Sequence, residues 1–354
     1  MVSTPSEHNK ALYVDQESHF SVQDNVSSLE TNGQELLIEN KYSGINAADI
    51  RHATDLGIRP NVIGYDFCGR VLSSPPGSKL EPNDVVAGYT PTGLGRQSKY
   101  GTHQSHLVCP EDMAYKVPEN LPETHAGSLT VVAMTAADVI FNLFGFPLPS
   151  SPGNHQRPIL IWGASSSVGI CAVQFAKASG CQNIFVTASP GRHELLGSLG
   201  ATHTFDYASP TVVKDIIAAV EALGHGSIGH ALDSVGVQSP SSSALLEQCV
   251  SDPSAVLAAT IPYPKFKMPV ATTKDDWEIH PLGAPGPVRI PARPEDHWNA
   301  WKALEWAIDS YGKGFKLPVV RVFDGTAEEA LEEVVAVETM KRGSGKVVIH
   351  HPMT

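Results

Sequence analysis

From Pro158 onward the sequence alternates short apolar runs with segments of helical period, and no other feature constrains the fold as tightly. Pro158-Ile159-Leu160-Ile161-Trp162 is a buried-strand run. A Gly/Ser turn follows, then a helical pattern from Val168 to Ser179, a strand at Ile184 to Ala188 and a helix at His193 to Leu199. The alternation continues through a strand at Thr202 to Phe205, a helix at Val212 to Leu223 and a strand at His230 to Leu232. Strands that alternate with helices at this spacing run parallel, because each helix carries the chain back to the same sheet edge. The expected class is α/β, a doubly wound parallel sheet with helices on both faces.

The remainder has a different character. Between Glu35 and about Val108, short runs such as Leu36-Leu37-Ile38 and Val85-Val86-Ala87 are punctuated by Gly, Pro and Asn, which predicts an irregular, strand-rich lobe. A chain of 354 residues accommodates two such domains. Eight prolines between Pro262 and Pro294 predict a long surface loop there. After it come a helix at His297 to Tyr311, a strand around Leu317 to Val322, a helix at Ala327 to Lys341 and a strand at Lys346 to His350.

Several function classes are excluded by charge and composition. A net charge of −12 with no basic block argues against a nucleic-acid binder. Residues Met1 to His8 lack the basic start and apolar core of a secretory signal. The most apolar stretch, Ala126 to Phe146, is interrupted by Thr130, Thr135, Asp138 and Asn142, as suits a core helix rather than a membrane span. Five scattered cysteines favour a reducing compartment, hence the cytoplasm.

Gly163-Ala164-Ser165-Ser166-Ser167-Val168-Gly169 lies between the strongest strand and a helix, where a Rossmann fold places its phosphate-binding turn. A helix N-terminus presents unpaired N–H groups and partial positive charge, so a pyrophosphate can rest against it without a basic side chain. With Gly169 as the last glycine of G-x-G-x-x-G, the first two positions are Ala164 and Ser166, small but not glycine. A ligand-free turn remains the alternative. The next strand ends in Thr187-Ala188-Ser189-Pro190-Gly191-Arg192, with no carboxylate for a ribose 2′-hydroxyl. Ser189 and Arg192 suit a 2′-phosphate instead, so the expected cofactor is NADPH. Lys177 either adds charge there or is a solvated helix-face lysine.

Further motifs occur in a fixed order: Gly44-Ile45-Asn46-Ala47-Ala48-Asp49, Gly64-Tyr65-Asp66-Phe67-Cys68-Gly69, Pro82-Asn83-Asp84-Val85-Val86-Ala87-Gly88, Met134-Thr135-Ala136-Ala137, Leu232-Asp233-Ser234-Val235-Gly236 and Gly343-Ser344-Gly345-Lys346-Val347-Val348. With them the chain resembles, from about Glu35 to His350, the zinc-independent medium-chain dehydrogenases/reductases, in the branch of quinone oxidoreductases and fungal trans-acting enoyl reductases. The resemblance implies a GroES-like catalytic domain (residues 1–150 and 316–354) and a Rossmann NADPH-binding domain (151–315). It also implies that Tyr207 lies near the adenosine phosphate with Lys177, Ser189 and Arg192.

Zinc-dependent relatives would need a Cys, a Gly-His-Glu and a later Cys or His. Here those positions read Asn46, Tyr65 followed by Asp66, and a residue near Val131, so no metal is expected. His103 and His106 are spaced like ligands but lack further partners and are expected to be loop residues. Without a metal to carry charge on a carbonyl oxygen, the chemistry shifts toward conjugated acceptors. The expected reaction is hydride transfer from NADPH to an enoyl thioester, enone or quinone. Asn46 either orients cofactor or substrate or caps a helix starting at Ala47. Arg51 is either a fixed cation for an enolate oxygen or a surface arginine, Tyr65 is a proton donor, and Thr135 hydrogen-bonds nicotinamide or substrate; Tyr65 and Thr135 could instead only pack. Asp49 and Asp66 are expected to hold the lobe together. The reactive carbon is expected between the nicotinamide and Asn46, Tyr65 and Thr135, with part of the proline-rich loop over the substrate tail.

The resemblance implies a small-molecule substrate, carrier-protein-bound if the partner is a polyketide synthase, and Lys265, Lys267, Arg289 and Arg293 are candidates for a basic docking patch. Two other readings stand beside this one: an NADPH-binding protein without turnover, and a redox-neutral cyclase on the same scaffold.

Overall fold

A computed structural model describes residues 9–24, 28–270, 274–341 and 343–354, so the reading of Met1 to His8 lies outside the described residues. The chain divides into two units. One comprises Val132–Lys274 and Arg293–Leu317. Its sheet is five-stranded and parallel, in the order His203–Phe205, Ile184–Thr187, Ile159–Trp162, His230–Asp233, Val256–Ala259. The first strand in sequence is central and the chain winds outward from it to either side, which is the doubly wound order. All four residues of Ile159–Trp162 are buried, because helices cover both faces. On one face Leu160, Trp162 and Phe185 pack with Ile216, Val220 and Leu246. The helix Ser242–Gln248 and the strand Val256–Ala259 were not anticipated. Ser241 caps that helix by accepting from the Ala244 N–H, a signal hidden in a run of serines.

The second unit comprises the residues up to Val131, Asp275–Ala292 and Pro318–Thr354. Its main sheet has seven strands, in the order Val320–Phe323, Lys346–His350, Glu35–Gly44, Asp66–Ser73, Val85–Tyr89 and Ala114–Lys116, with His106–Pro110 paired to Glu35–Gly44. The closing strand Lys346–His350 thus lies against Glu35–Gly44, as Val348 opposite Gly44 and Ile349 opposite Ser43. The helix Ala327–Glu338 packs Ala330 and Val334 on Ile45, Ile50 and Ile349. A capping box of Thr326 and Glu329 fixes its start.

The observed partition departs from the expected boundaries in three places. It falls at Val131/Val132, inside the helix Glu123–Ala137, it gives Asp275–Ala292 to the strand-rich unit, and it returns to that unit at Pro318 rather than at residue 316. The expected proline-rich loop is also corrected, because Trp277–Ile279 and Val288–Ile290 form an antiparallel hairpin. Both three-residue runs are free of proline, so their N–H groups can pair. The segment is fastened by Leu94 N–H to the Glu278 carbonyl at 2.8 Å and His280 N–H to the Leu56 carbonyl at 2.7 Å. Residues 271–273 of the proline-rich stretch lie outside the described residues.

The apolar helix Glu123–Ala137 continues into a π-helical turn, Asp138–Leu143. Together they are long and apolar enough to cross a membrane, yet 78% of the most apolar window is buried inside the protein. Asp138 is tolerated within it because Arg293 pairs with its carboxylate at 3.1 Å and the Val270 N–H donates to it at 2.8 Å.

Candidate active site

In the parallel unit, the turn after Ile159–Trp162 is shaped by two glycines. Gly163 has φ +73°, and a Cβ there would stand 2.5 Å from Val235 Cγ1. A Cβ on Gly169 would lie 2.6 Å from the Ala164 Cα, so glycine alone lets the helix Ser167–Ala178 approach the turn. Ser166 is the N-cap, its Oγ accepting from Gly169 N–H at 3.0 Å and donating to Ser234 Oγ at 3.0 Å. Ser234 in turn donates to the Trp162 carbonyl at 2.8 Å, fixing the turn on the neighbouring strand. Ser167 and Val168 occupy the first two helical positions, where N–H groups have no intrahelical acceptor. Ser165, Ser166 and the glycines therefore build the turn, and the N–H groups of Ser167 and Val168 are left at its mouth without an intrahelical acceptor.

At the end of Ile184–Thr187 stand exposed Ser189 and half-buried Arg192, with no carboxylate at the strand's end. Exposed Lys177 lays its stem over Gly200, where an added Cβ would come within 2.7 Å of it. Tyr207 is 49% exposed, far above what a ring of this size shows in a core. Three expected phosphate ligands and an exposed ring thus sit on the same unit as the turn, and the donor set suits a phosphorylated adenosine: two cations, a hydroxyl and an aromatic face. Thr135 lies half-buried on the core helix of this unit.

In the strand-rich unit, the positions where relatives would carry zinc ligands converge on Asp66. Its Oδ2 accepts from Asn46 Nδ2 at 2.9 Å and its Oδ1 from the Val131 N–H at 2.8 Å. The Lys346 ammonium stands 3.6 Å from Oδ2 and donates to Asn46 Oδ1 at 2.7 Å and to the Ile45 carbonyl at 2.8 Å. Burial raises the Asp66 carboxyl above the usual carboxylate range, and Lys346 pulls it back. Asn46 does not cap a helix: the helix Ala48–Asp55 begins after Ala47 without a side-chain cap, and Asn46 N–H instead donates to Asp49 Oδ2 at 2.7 Å. Both Asn46 side-chain atoms are engaged within the protein, so its geometry is that of a brace for the Asp66–Lys346 pair.

Arg51 is not a free cation, since its Nε lies 3.0 Å from Glu338. Of the two histidines expected in loops, His106 instead opens the strand His106–Pro110, because it pairs with Glu39, whereas His103 is a loop residue but not an exposed one. It is fully buried, with Nε2 3.1 Å from Asp49 and Nδ1 2.8 Å from Ser43 Oγ, which also lies 2.7 Å from His351 Nε2. An Asp, a His and a Ser together would suggest a nucleophile, but these are sealed from solvent and tie the loop at His103 and the end of the closing strand to Glu35–Gly44. Among the described residues no group of three or more His, Cys, Asp and Glu is arranged to hold a metal ion.

Tyr65 lies in a second cluster. Its hydroxyl is 2.9 Å from His52 Nδ1 and 3.4 Å from Thr92 Oγ1, and the Arg96 guanidinium sits 4.4 Å from the centre of its ring. Arg96 is buried and held by neutral oxygens, among them the carbonyls of Pro91, Val62, Gly64 and Tyr100. Burial pushes the Tyr65 phenol up, with Arg96 opposing; the same burial pushes His52 down to about 4. Tyr65 is thus held protonated and His52 neutral near pH 7. No sequence signal pointed to His52, Thr92 or Arg96, because they come from different segments and share no motif.

Of the cations expected to form a docking patch, Lys265, Arg289 and Arg293 are each ion-paired within the protein. Arg293 is engaged by Asp138 and Asp296, Lys265 lies 3.4 Å from Glu247, and Arg289, which belongs to the strand-rich unit, pairs with Asp276.

Residues 32–119 match the family model of the alcohol dehydrogenase GroES-like domain, and residues 167–262 match that of the zinc-binding dehydrogenases. The trans-enoyl reductase resD of Aspergillus sclerotiorum is 30% identical over 53% of this chain and 57% of its own, and the trans-enoyl reductase fsa3 of a Fusarium species is 28% identical over 77% of each. The chain spans about half the length of the first curated relatives it matches. Among solved structures, quinone oxidoreductase of Pseudomonas syringae superposes with a TM-score of 0.71 at 17% identity, covering 97% of this chain and 99% of that one.

Proposed function

The chain belongs to the medium-chain dehydrogenase/reductase family, and from that premise we propose that it is an NADPH-dependent reductase of carbon–carbon double bonds conjugated to a carbonyl, as in enoyl thioesters, enones or quinones. The observation that carries this is the nucleotide turn: an open helix N-terminus closed on Ala164 at Gly169, beside a strand end that bears Ser189 and Arg192 in place of a carboxylate. NADPH, when bound, supplies the hydride. Ser167 and Val168 would hold its pyrophosphate through backbone N–H groups, and Lys177, Ser189, Arg192 and Tyr207 its phosphorylated adenosine.

The strand-rich unit supplies the proton. An acceptor that takes hydride at its β-carbon develops charge on the conjugated oxygen and accepts a proton at the α-carbon, so hydrogen bonds can stand in for a metal. Tyr65 is our donor, because its phenol stays protonated at neutral pH. Asn46 braces Asp66 and Lys346, and Thr135 is our choice for a hydrogen bond at the nicotinamide end. Arg51, matched by Glu338, is assigned to holding the helix Ala48–Asp55 in place. With Asn46, Tyr65 and Val131 at the ligand positions, we read the enzyme as metal-independent. The trans-enoyl reductases among its relatives support an enoyl substrate, and a polyketide synthase that presents it on a carrier protein is the partner this implies. Five free cysteines support a cytoplasmic setting.

The test follows absorbance at the NADPH band with a panel of enones, quinones and enoyl thioesters, repeated with NADH and without cofactor. Oxidation of NADPH, with NADH much slower, is expected. Product formed without cofactor would favour redox-neutral cyclisation, and binding of NADPH with no oxidation by any acceptor would leave a non-catalytic binding protein.

A further inference from the structure

The His52–Tyr65 pair has a geometry that a merely packed tyrosine would not need. The Tyr65 ring is clamped on one face by Arg96, whose guanidinium is itself immobilised by backbone carbonyls. Its hydroxyl meets two groups, His52 Nδ1 at 2.9 Å and Thr92 Oγ1 at 3.4 Å. His52 is half-buried, with its ring edge-on to Tyr65 at 5.0 Å, and its Nε2 has no hydrogen-bond partner among the described residues and is not one of the sealed polar atoms. One ring nitrogen therefore faces the phenol, and the partial exposure of His52 leaves the ring within reach of solvent.

Resting on the reading of Tyr65 as proton donor, we propose that His52 is a positioning residue that relays protons from solvent to Tyr65. With its hydrogen on Nδ1, His52 donates to Tyr65 Oη, as Thr92 does, which leaves the phenolic hydrogen for the substrate. When the Tyr65 O–H bond breaks and its proton forms the C–H bond at the α-carbon, the electron pair stays on Oη. Nε2 then takes a proton from water as Nδ1 gives its own to Oη. The imidazole changes tautomer without gaining net charge, and exchange with solvent restores it. Arg96 stabilises the transient phenolate across the ring. The charged and titratable groups that face His52 are Asp49 and Asp55 on its own helix, Arg96 from the loop beyond Val85–Tyr89, and Tyr65 from the segment before Asp66–Ser73; burial and Arg96 favour the neutral ring, and the two carboxylates oppose them.

The test compares the parent protein with His52→Gln, Tyr65→Phe and the double variant, using NADPH and the crotonyl thioester of N-acetylcysteamine. Expected for His52→Gln are a kcat at least tenfold lower with KM within twofold, partial recovery on adding imidazole, and a double variant no slower than Tyr65→Phe alone. In 15N-histidine spectra of the parent, the His52 ring should remain neutral at pH 6. An active parent with His52→Gln within twofold of its kcat would overturn the relay alone. So would a loss that imidazole does not restore and that adds to the loss from Tyr65→Phe, or an imidazolium at His52 at pH 6. A parent inert toward the thioester and the whole acceptor panel would refute the reductase reading, and the relay as a catalytic device with it.

Discussion

Substituting Gly169 by Ala tests the nucleotide turn at its tightest point. The added Cβ would lie 2.6 Å from the Ala164 Cα and 2.9 Å from its carbonyl carbon and oxygen, all backbone atoms that cannot rotate away. Ordinary contact needs 3.4–4 Å, so the first turn of the helix must recede by roughly 1 Å. Overpacking of this kind costs about 1–3 kcal/mol, and straining the Ser166 cap adds to it, against a gain of up to about 1 kcal/mol from replacing glycine in a helix. The same displacement carries the Ser167 and Val168 N–H groups away from a bound pyrophosphate. Losing one charge-assisted hydrogen bond costs about 1.5–3 kcal/mol, or roughly ten- to a hundredfold in affinity. Urea unfolding and fluorescence titration with NADPH would read the two effects. Gly197→Ala is the control of opposite sign: no atom lies within 4 Å of its would-be Cβ, so removal of a helical glycine should stabilise by about 0.5–1 kcal/mol and leave NADPH affinity unchanged. If Gly169→Ala unfolds at the parental urea concentration and binds NADPH as tightly as the parent, the proposed turn geometry is wrong.

Arg192→Ala should weaken NADPH binding by about 1–3 kcal/mol and leave NADH nearly untouched in parallel titrations; an equal loss for both cofactors would remove Arg192 from the 2′-phosphate. Lys346→Met strands the buried Asp66 carboxylate and should cost about 3–5 kcal/mol in urea unfolding, with Asp66→Asn in the same chain recovering a substantial part. Stability should also fall as pH drops. His52 and His230 are held down to about 4 and His351 well below its ordinary value, in each case chiefly by burial, so below about pH 6.5 these histidines bind more protons in the unfolded chain than in the folded one. The unfolding free energy from urea titrations should be flat above that pH and decline toward pH 4, by up to about 1.4 kcal/mol per histidine per pH unit; a value that rises on acidification would contradict it.

Local chemistry made part of this protein legible in one dimension. The alternation from Pro158 to Leu232 located the parallel sheet, because a buried strand and an amphipathic helix each leave a contiguous periodic trace, and the Gly163 to Gly169 turn and the missing carboxylate after Ile184–Thr187 are likewise continuous in sequence. Where proline density was taken as a proxy for loop, the hairpin at Trp277–Ile279 and Val288–Ile290 escaped notice: each strand is only three residues long, too short to show alternation, and it is held by Leu56 and Leu94 from distant segments. The same holds for the polar interior. That Asn46 braces Asp66 against Lys346, 300 residues away, follows from the register of the closing strand on Glu35–Gly44, and that His103 is buried between Asp49 and Ser43 follows from the way a loop folds back over that strand and the next helix. Buried polar groups must find partners, but any of several residues would satisfy that demand, and only the tertiary packing selects which. Tyr65 could be named from its motif, whereas His52, Thr92 and Arg96 became its neighbours only when a helix, a strand end and a loop were brought together, because proximity in space leaves no spacing in the chain.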